Sequence, residues 1–266
     1  MNESRAIQDE QGREDLSPGR SVEAVIEIDA PVERVWQALT DADELIRWFP
    51  LEARVEAGQD GELWMSWQNE FQGASRILSW EPPRRLLTTW GEVDGGDSAS
   101  GQRTEYLLEA RGGRTFLRVV TSGFSDEPRW DAWVEGTRRG WKFELFSLKH
   151  YLEHHAGQER DVVYLRRRVA LPGEEAWNRL TGSDGLAPED LRGTVVDDSP
   201  PVQYAVLANA PRGLVRISME PCHGDEDGRD VTLWLSAWGD HGNDIERIRS
   251  EWRTLLEGLF PEGAFA

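Results

Sequence analysis

The chain has 266 residues, 38% hydrophobic and 30% charged, and carries a net charge of −19. That length favours two domains over one, and the acidic surface repels phosphates and anionic lipid head groups, so no nucleic acid partner is expected. No apolar run reaches the roughly 18 residues of a membrane span, and the single cysteine, Cys222, excludes an intramolecular disulfide framework.

Residues 1–20 are polar and lack an apolar signal-peptide core, so they read as a disordered tail, with a cytoplasmic location as the default. Imperfect alternation over Val22–Ile28 predicts a strand. Asp29-Ala30-Pro31 ends it, and Pro31 suits the first turn of a helix, where a missing N–H costs nothing. Val32, Val35, Trp36 and Leu39 at helical spacing predict a helix over 32–39. Asp41 then caps a second short helix over 42–48. Short strands are predicted next over 54–55, 62–67, 73–80, 86–90, 104–110 and 115–121. Gly58, Gly61, Pro82-Pro83, Gly95-Gly96 and Gly112-Gly113 punctuate them, the pattern of an antiparallel meander, with a polar loop over 94–103. A long helix over 128–153 places Trp133, Thr137, Trp141, Leu145, Leu148 and Leu152 on one face, which should pack on the concave side of the sheet.

After the linker Ala156-Gly157-Gln158 the pattern restarts. Residues 169–181 align without a gap on residues 28–40 at an offset of 141, with Pro, Glu, Trp, Leu and Thr identical. Pro200-Pro201 can be laid on Pro82-Pro83 at an offset of 118, so the second copy has lost about two dozen residues of early strands. Gly228-Arg229 ahead of Val231–Leu235 matches Gly113-Arg114 ahead of Phe116–Val120, and Trp252 falls where Trp141 does in a closing helix. Four matches in the same order indicate an internal repeat of domain size. The expected domains are 21–156 and a shortened copy over 160–262.

Ile28-Asp29-Ala30-Pro31 with Val35-Trp36, Leu39-Thr40 and Leu45–Trp48-Phe49 resembles the opening of the heat-shock-protein-90 ATPase activator C-terminal-like family, of the START-like or SRPBCC superfamily. Trp80-Glu81-Pro82-Pro83-Arg84-Arg85-Leu86 with Trp90, Arg114-Thr115, Thr121-Ser122-Gly123-Phe124 and Gly140-Trp141 extend the likeness over about 21–155. The resemblance implies an α+β helix-grip (START/Bet v-like) fold, a curved antiparallel sheet around a long C-terminal helix, here duplicated with a shortened second domain. It also implies a cavity between sheet and helix that takes small apolar or amphipathic molecules. It does not imply one function, since superfamily members include ligand carriers, polyketide cyclases, oxygenase subunits and co-chaperone modules.

Chemistry is sparse. The segment Gly91–Gly101 lacks phosphate-loop spacing, and G-x-S-x-G, C-x-x-C and H-E-x-x-H are all missing. His150 and His154 stand four apart at the end of the long helix, where charge–dipole capping accounts for them better than a metal, so neither metal nor cofactor is expected. Glu105 and Glu144 would act as acid or base only if either pointed into an apolar cavity. Nine of the thirteen tryptophans lie between Trp36 and Trp141 and either fill a core or line a pocket. The cavity set is Trp48, Phe49, Trp67, Arg76, Trp90, Trp133, Thr137 and Trp141, with Arg76 offered to an anionic ligand head. Binding of a small hydrophobic or amphipathic molecule in the first domain is the leading expectation. A co-chaperone-like module meeting a protein partner through the second domain, and a cyclase- or hydrolase-type enzyme on an aromatic or polyketide-like compound, stay open as alternatives.

Overall fold

The computed structural model describes residues 20–68, 72–89, 101–222, 225–239 and 244–265. Of the expected tail over 1–20, Arg20 instead opens the first strand and residues 1–19 lie outside the described residues, as do most of the expected 94–103 loop, Phe71, Trp90, His223 and His241.

The chain opens on β1 (Arg20–Ile28), α1 (Val32–Thr40) and α2 (Ala42–Leu45). Asp41 accepts hydrogen bonds from the backbone of Asp43 and Glu44, the expected cap. The second helix stops at Leu45 rather than Trp48, because the chain turns there to bury Trp48, whose indole N–H donates to the Ala38 carbonyl at 2.8 Å. Five strands follow as β2 (Glu52–Val55), β3 (Glu62–Ser66), β4 (Gln72–Glu81), β5 (Arg85–Thr89) and β6 (Arg103–Arg111), then β7 (Arg114–Phe124) and α3 (Asp131–His154). A single 3₁₀ turn, Pro128–Trp130, leads into α3 and takes the first residues of the expected long helix. All seven strands form one antiparallel sheet in the order β1-β7-β6-β5-β4-β3-β2, with α3 across its inner face. This is the α+β helix-grip fold.

The rest of the chain builds β8 (Arg160–Val169), α4 (Gly173–Thr181), β9 (Gly193–Ser199), β10 (Gln203–Asn209), β11 (Arg212–Cys222), β12 (Asp225–Trp238), α5 (Asp244–Leu259) and β13 (Ala264–Phe265). Their sheet runs β13-β8-β12-β11-β10-β9. α4 repeats α1 in detail: each starts after a proline and ends on a threonine whose hydroxyl donates to the carbonyl of the tryptophan four residues earlier, at 2.7 Å for Thr40 and 2.9 Å for Thr181. The β9–β10 turn carries Pro200-Pro201 as the β4–β5 turn carries Pro82-Pro83. Residues 182–192 hold a 3₁₀ turn and no strand, so β2 and β3 have no counterpart. The two sheets fit a duplication. One anchor differs in setting: Gly113 precedes β7, whereas Gly228-Arg229 lie inside β12, where Arg229 pairs with Val169 and Pro221. The strands β11 and β12 are longer than β6 and β7, and their pairing reaches outward as far as Cys222 and Asp225.

α3 is buried on more than its expected face. Trp141, Leu145, Leu148 and Leu152 are buried, but so are Phe143, Glu144, Ser147 and Tyr151. Ser147 donates to the Trp48 carbonyl and Tyr151 to Glu44, which ties α3 to α2. Against the flank around Phe143 lies the second sheet, whose Ala205, Leu214, Trp234 and Trp238 belong to the first unit's core. The opposite face of that sheet packs α5 through Val163, Leu165, Ile217, Leu233 and Trp252. The second sheet is therefore covered on both faces.

A candidate ligand-binding site between the first sheet and its closing helix

Strand alternation decides what faces α3. On β6 the inward positions are Thr104, Tyr106 and Leu108; on β7 they are Leu117, Val119 and Thr121; on β5 they are Leu86 and Thr88. The register pairs Thr88 with Thr104 and Thr104 with Thr121. Three buried threonines thus form a row across three neighbouring strands. The Thr104 and Thr121 hydroxyls are 3.3 Å apart, and the Trp141 indole N–H donates to Thr121 at 2.9 Å. Tyr106 stands edge-on to Trp141 at 5.8 Å, and burial alone holds its phenol well above the usual range, so it remains a neutral hydroxyl. Gln102, one alternation step before Thr104, is also buried.

Aromatic rings gather beside Trp141. Trp48 stacks on Phe49 at 4.8 Å, Trp67 meets Phe49 edge-on at 5.0 Å, and Phe49 lies 5.9 Å from Trp141. A cleft of about 350 Å³ opens between β1 and α3, lined by Ala24, Ile26, Trp141, Leu145 and Phe146, with Val196 of the second unit at its edge. Glu23, Arg138 and Lys142 stand on its rim, paired respectively with Arg118, Glu135 and Asp197.

Of the expected cavity residues, Phe49, Trp67 and Trp141 come together here. Trp48 is 1% exposed and serves the core, not a mouth. Trp133 is half-buried against Trp130 at 6.2 Å, and Thr137 is half-buried one turn before Trp141. Arg76 is a correction: Ser75 and Ile77 take the inward positions on β4, so Arg76 points outward and pairs with Asp60 at 2.6 Å, both side chains more than 60% exposed. Glu105 also faces outward, bound to Arg85 at 2.6 Å. Glu144 is buried, but on the flank of α3 that meets Arg216 of the second sheet at 3.5 Å, away from the threonine row. The row itself, with Tyr106 and Gln102, escaped sequence reasoning. Its only signal was threonine at inward parity in β5, β6 and β7, and that parity becomes a row only once the register is known.

His150, His154 and His155 gather at the far end of α3, with ring centroids 4.9–6.4 Å apart, and His150 and His155 both lie against Trp238 of β12. Among the described residues no group of three His, Cys, Asp or Glu is arranged to hold a metal ion. Burial first, then the neighbouring His155 and His154, with Glu153 opposing, push His150 down from 6.5 to about 4. Between those values the unfolded chain binds a proton that the folded chain refuses, so stability is full above pH 6.5 and falls as the pH drops towards 4. His150→Phe keeps the ring against Phe146 and Trp238 and should flatten this slope. Urea midpoints at pH 7 and pH 5 check it; an equal acid loss in both proteins would count against the assignment.

The family described as activator of Hsp90 ATPase homolog 1-like protein matches residues 29–153. No curated protein matches the chain. Among solved structures, similarity extends to the Aha1 dimer of Colwellia psychrerythraea at 22% identity, covering 52% of this chain and 99% of that one with a TM-score of 0.46. MLL2253 of Mesorhizobium loti is similar at 22% identity over 51% of this chain and 98% of its own, with a TM-score of 0.47. CalU16 of Micromonospora echinospora is similar at 26% identity over 51% of this chain and 77% of its own, with a TM-score of 0.41. No helix among the described residues is long and apolar enough to cross a membrane. Residues 29–153, which run from α1 through β2–β7 into α3, thus carry the likeness to the activator of Hsp90 ATPase homolog 1-like family.

Proposed function

We propose that the chain binds a small, largely apolar molecule between the first sheet and α3. The family match over residues 29–153 supports binding of a ligand or a protein in general terms. The observation that carries the finer reading is the row of buried hydroxyls, Thr88, Thr104 and Thr121, bonded through Thr121 to Trp141, whose ring also lines the cleft. A few placed polar groups in an otherwise apolar lining are the general make-up of a small-molecule site. An enzymatic reading is less well supported. Among the buried side chains on the described inner face, Tyr106 is the one ionisable group, and it is held neutral.

The second unit, residues 160–262, acts in this reading as a buttress. It presses on the outer flank of α3 and carries Val196 to the edge of the cleft. A shortened duplicate that lacks the two outer strands would have lost its own grip while keeping that role.

Titration of the full chain with naphthalene, followed by tryptophan fluorescence, tests the proposal. Saturable quenching is expected, because Trp67 and Trp141 belong to the aromatic group around Phe49. Strictly linear quenching, together with a native mass spectrum of the protein alone at every concentration, would refute it. Retention of purified chaperone on the immobilised chain in that case would favour the partner-binding alternative.

A further inference from the structure

Gln102 holds an amide nitrogen that the described residues leave unused. The residue is 3% exposed, and its Nε2 has no hydrogen-bond partner among the described residues. Buried polar atoms in folded proteins are nearly always paired, so an orphaned amide donor buried just ahead of the threonine row points to a group that arrives from outside the chain. We infer that the molecule bound beneath α3 is an uncharged, mainly apolar compound bearing a carbonyl oxygen, and that the Gln102 amide N–H donates to that oxygen. The inference rests on small-molecule binding at this site.

The polarity of the row sets the ligand's chemistry. An indole N–H can only donate, so Trp141 uses an acceptor lone pair of Thr121; the Thr104–Thr121 bond then consumes one hydroxyl proton of that pair and leaves the other to be given elsewhere. The unpartnered amide of Gln102 adds a further donor. A surplus of donors calls for an acceptor. A buried carboxylate would also need a cation, because an isolated charge is costly to bury. The basic side chains on the cleft rim are already committed, Arg138 to Glu135 and Lys142 to Asp197, and the chain as a whole carries −19. A neutral ketone, ester or amide carbonyl satisfies the donors without bringing a charge. The aromatic group of Phe49, Trp67 and Trp141 suits a flat apolar body behind that carbonyl.

Two probes of one skeleton separate the polar from the apolar contribution: 2-acetylnaphthalene, which carries the carbonyl, and 2-ethylnaphthalene, which does not. Both are titrated calorimetrically into the full chain and into Gln102→Leu. The leucine variant is expected to weaken the ketone by about tenfold, the scale of one hydrogen bond, and to leave the hydrocarbon within about twofold. Gln102→Met supplies a second apolar replacement should the leucine variant fold poorly. If both probes bind and the ketone affinity survives in the folded variants, the inference falls while small-molecule binding stands. If neither probe binds the unaltered chain, the binding reading fails and the inference fails with it.

Discussion

Glu144→Gln is expected to cost the protein about 3–5 kcal/mol of folding stability, the scale of breaking a buried ion pair from one side. Glu144 sits where α3 meets the second sheet. Arg216 approaches it at 3.5 Å, and both side chains are mostly buried, at 16% and 12% exposure for Arg216 and Glu144. Arg160 faces the same carboxylate. Its guanidinium is buried although the residue as a whole is only half-buried, and its Nε has no partner among the described residues. Burial pulls Arg160 down to about 10, with Glu144 opposing that shift. Two cations thus depend on one carboxylate, assisted by the faces of Phe143 and Trp234 and by the Phe49 and Pro50 carbonyls that Arg160 binds. Neutralising Glu144 leaves both charges buried without compensation. Urea unfolding of the single variant and of the Glu144→Gln, Arg216→Met pair is the measurement. The pair should recover part of the loss, and a single-variant cost under about 0.5 kcal/mol, the range of ordinary surface substitutions, would sink the account.

Ending the chain at Gly157 is expected to abolish cooperative unfolding of the first unit, although that unit holds all of the residues that the family model matches. The truncation strips the second sheet from α3, removing Leu214, Trp234 and Trp238 from the shared core. It also takes away the Arg160 bonds to the Phe49 and Pro50 carbonyls and the Trp238 indole bond to the Arg47 carbonyl at 2.7 Å. A domain of this size is stable by only about 5–15 kcal/mol, so a loss spread over one helix flank and three anchoring bonds is large enough to remove it. Near-ultraviolet circular dichroism should collapse while the far-ultraviolet signal persists, with binding of a hydrophobic dye. A sharp two-state transition with the full near-ultraviolet spectrum would show instead that the second unit is dispensable for folding.

Both expectations turn on contacts that local sequence patterns do not encode. The helical spacing of Trp141, Leu145, Leu148 and Leu152 read out the flank of α3 that meets its own sheet. The burial of Phe143 and Glu144 did not follow, because their covering residues, Arg216 and Trp234, stand more than seventy positions later. The second unit was legible as a restart through Pro172, Trp177 and Thr181. Its strands read less clearly, since Tyr204-Ala205-Val206 are buried on both sides and alternation disappears when a sheet has no solvent face. Arg76 was misplaced for a simpler reason: a strand's parity needs an anchored register, and a single residue's shift reverses which side chains face in.

The amino-acid sequence by itself determined the fold of residues 21–155, because periodicity, proline and glycine punctuation and helix capping are local properties that survive without neighbours. It also determined the order of elements in the second unit, through spaced repeats of the same local signals. Tertiary structure alone decided the rest. Hydrogen-bond register lined Thr88, Thr104 and Thr121 into one row, and the fold buried Gln102 just ahead of it with an amide nitrogen that has no partner among the described residues. Packing between units turned α3 from a helix with one buried face into a helix enclosed by two sheets, with buried charge between them. Those features depend on residues far apart in the chain meeting at fixed distances, and only the folded molecule sets those distances.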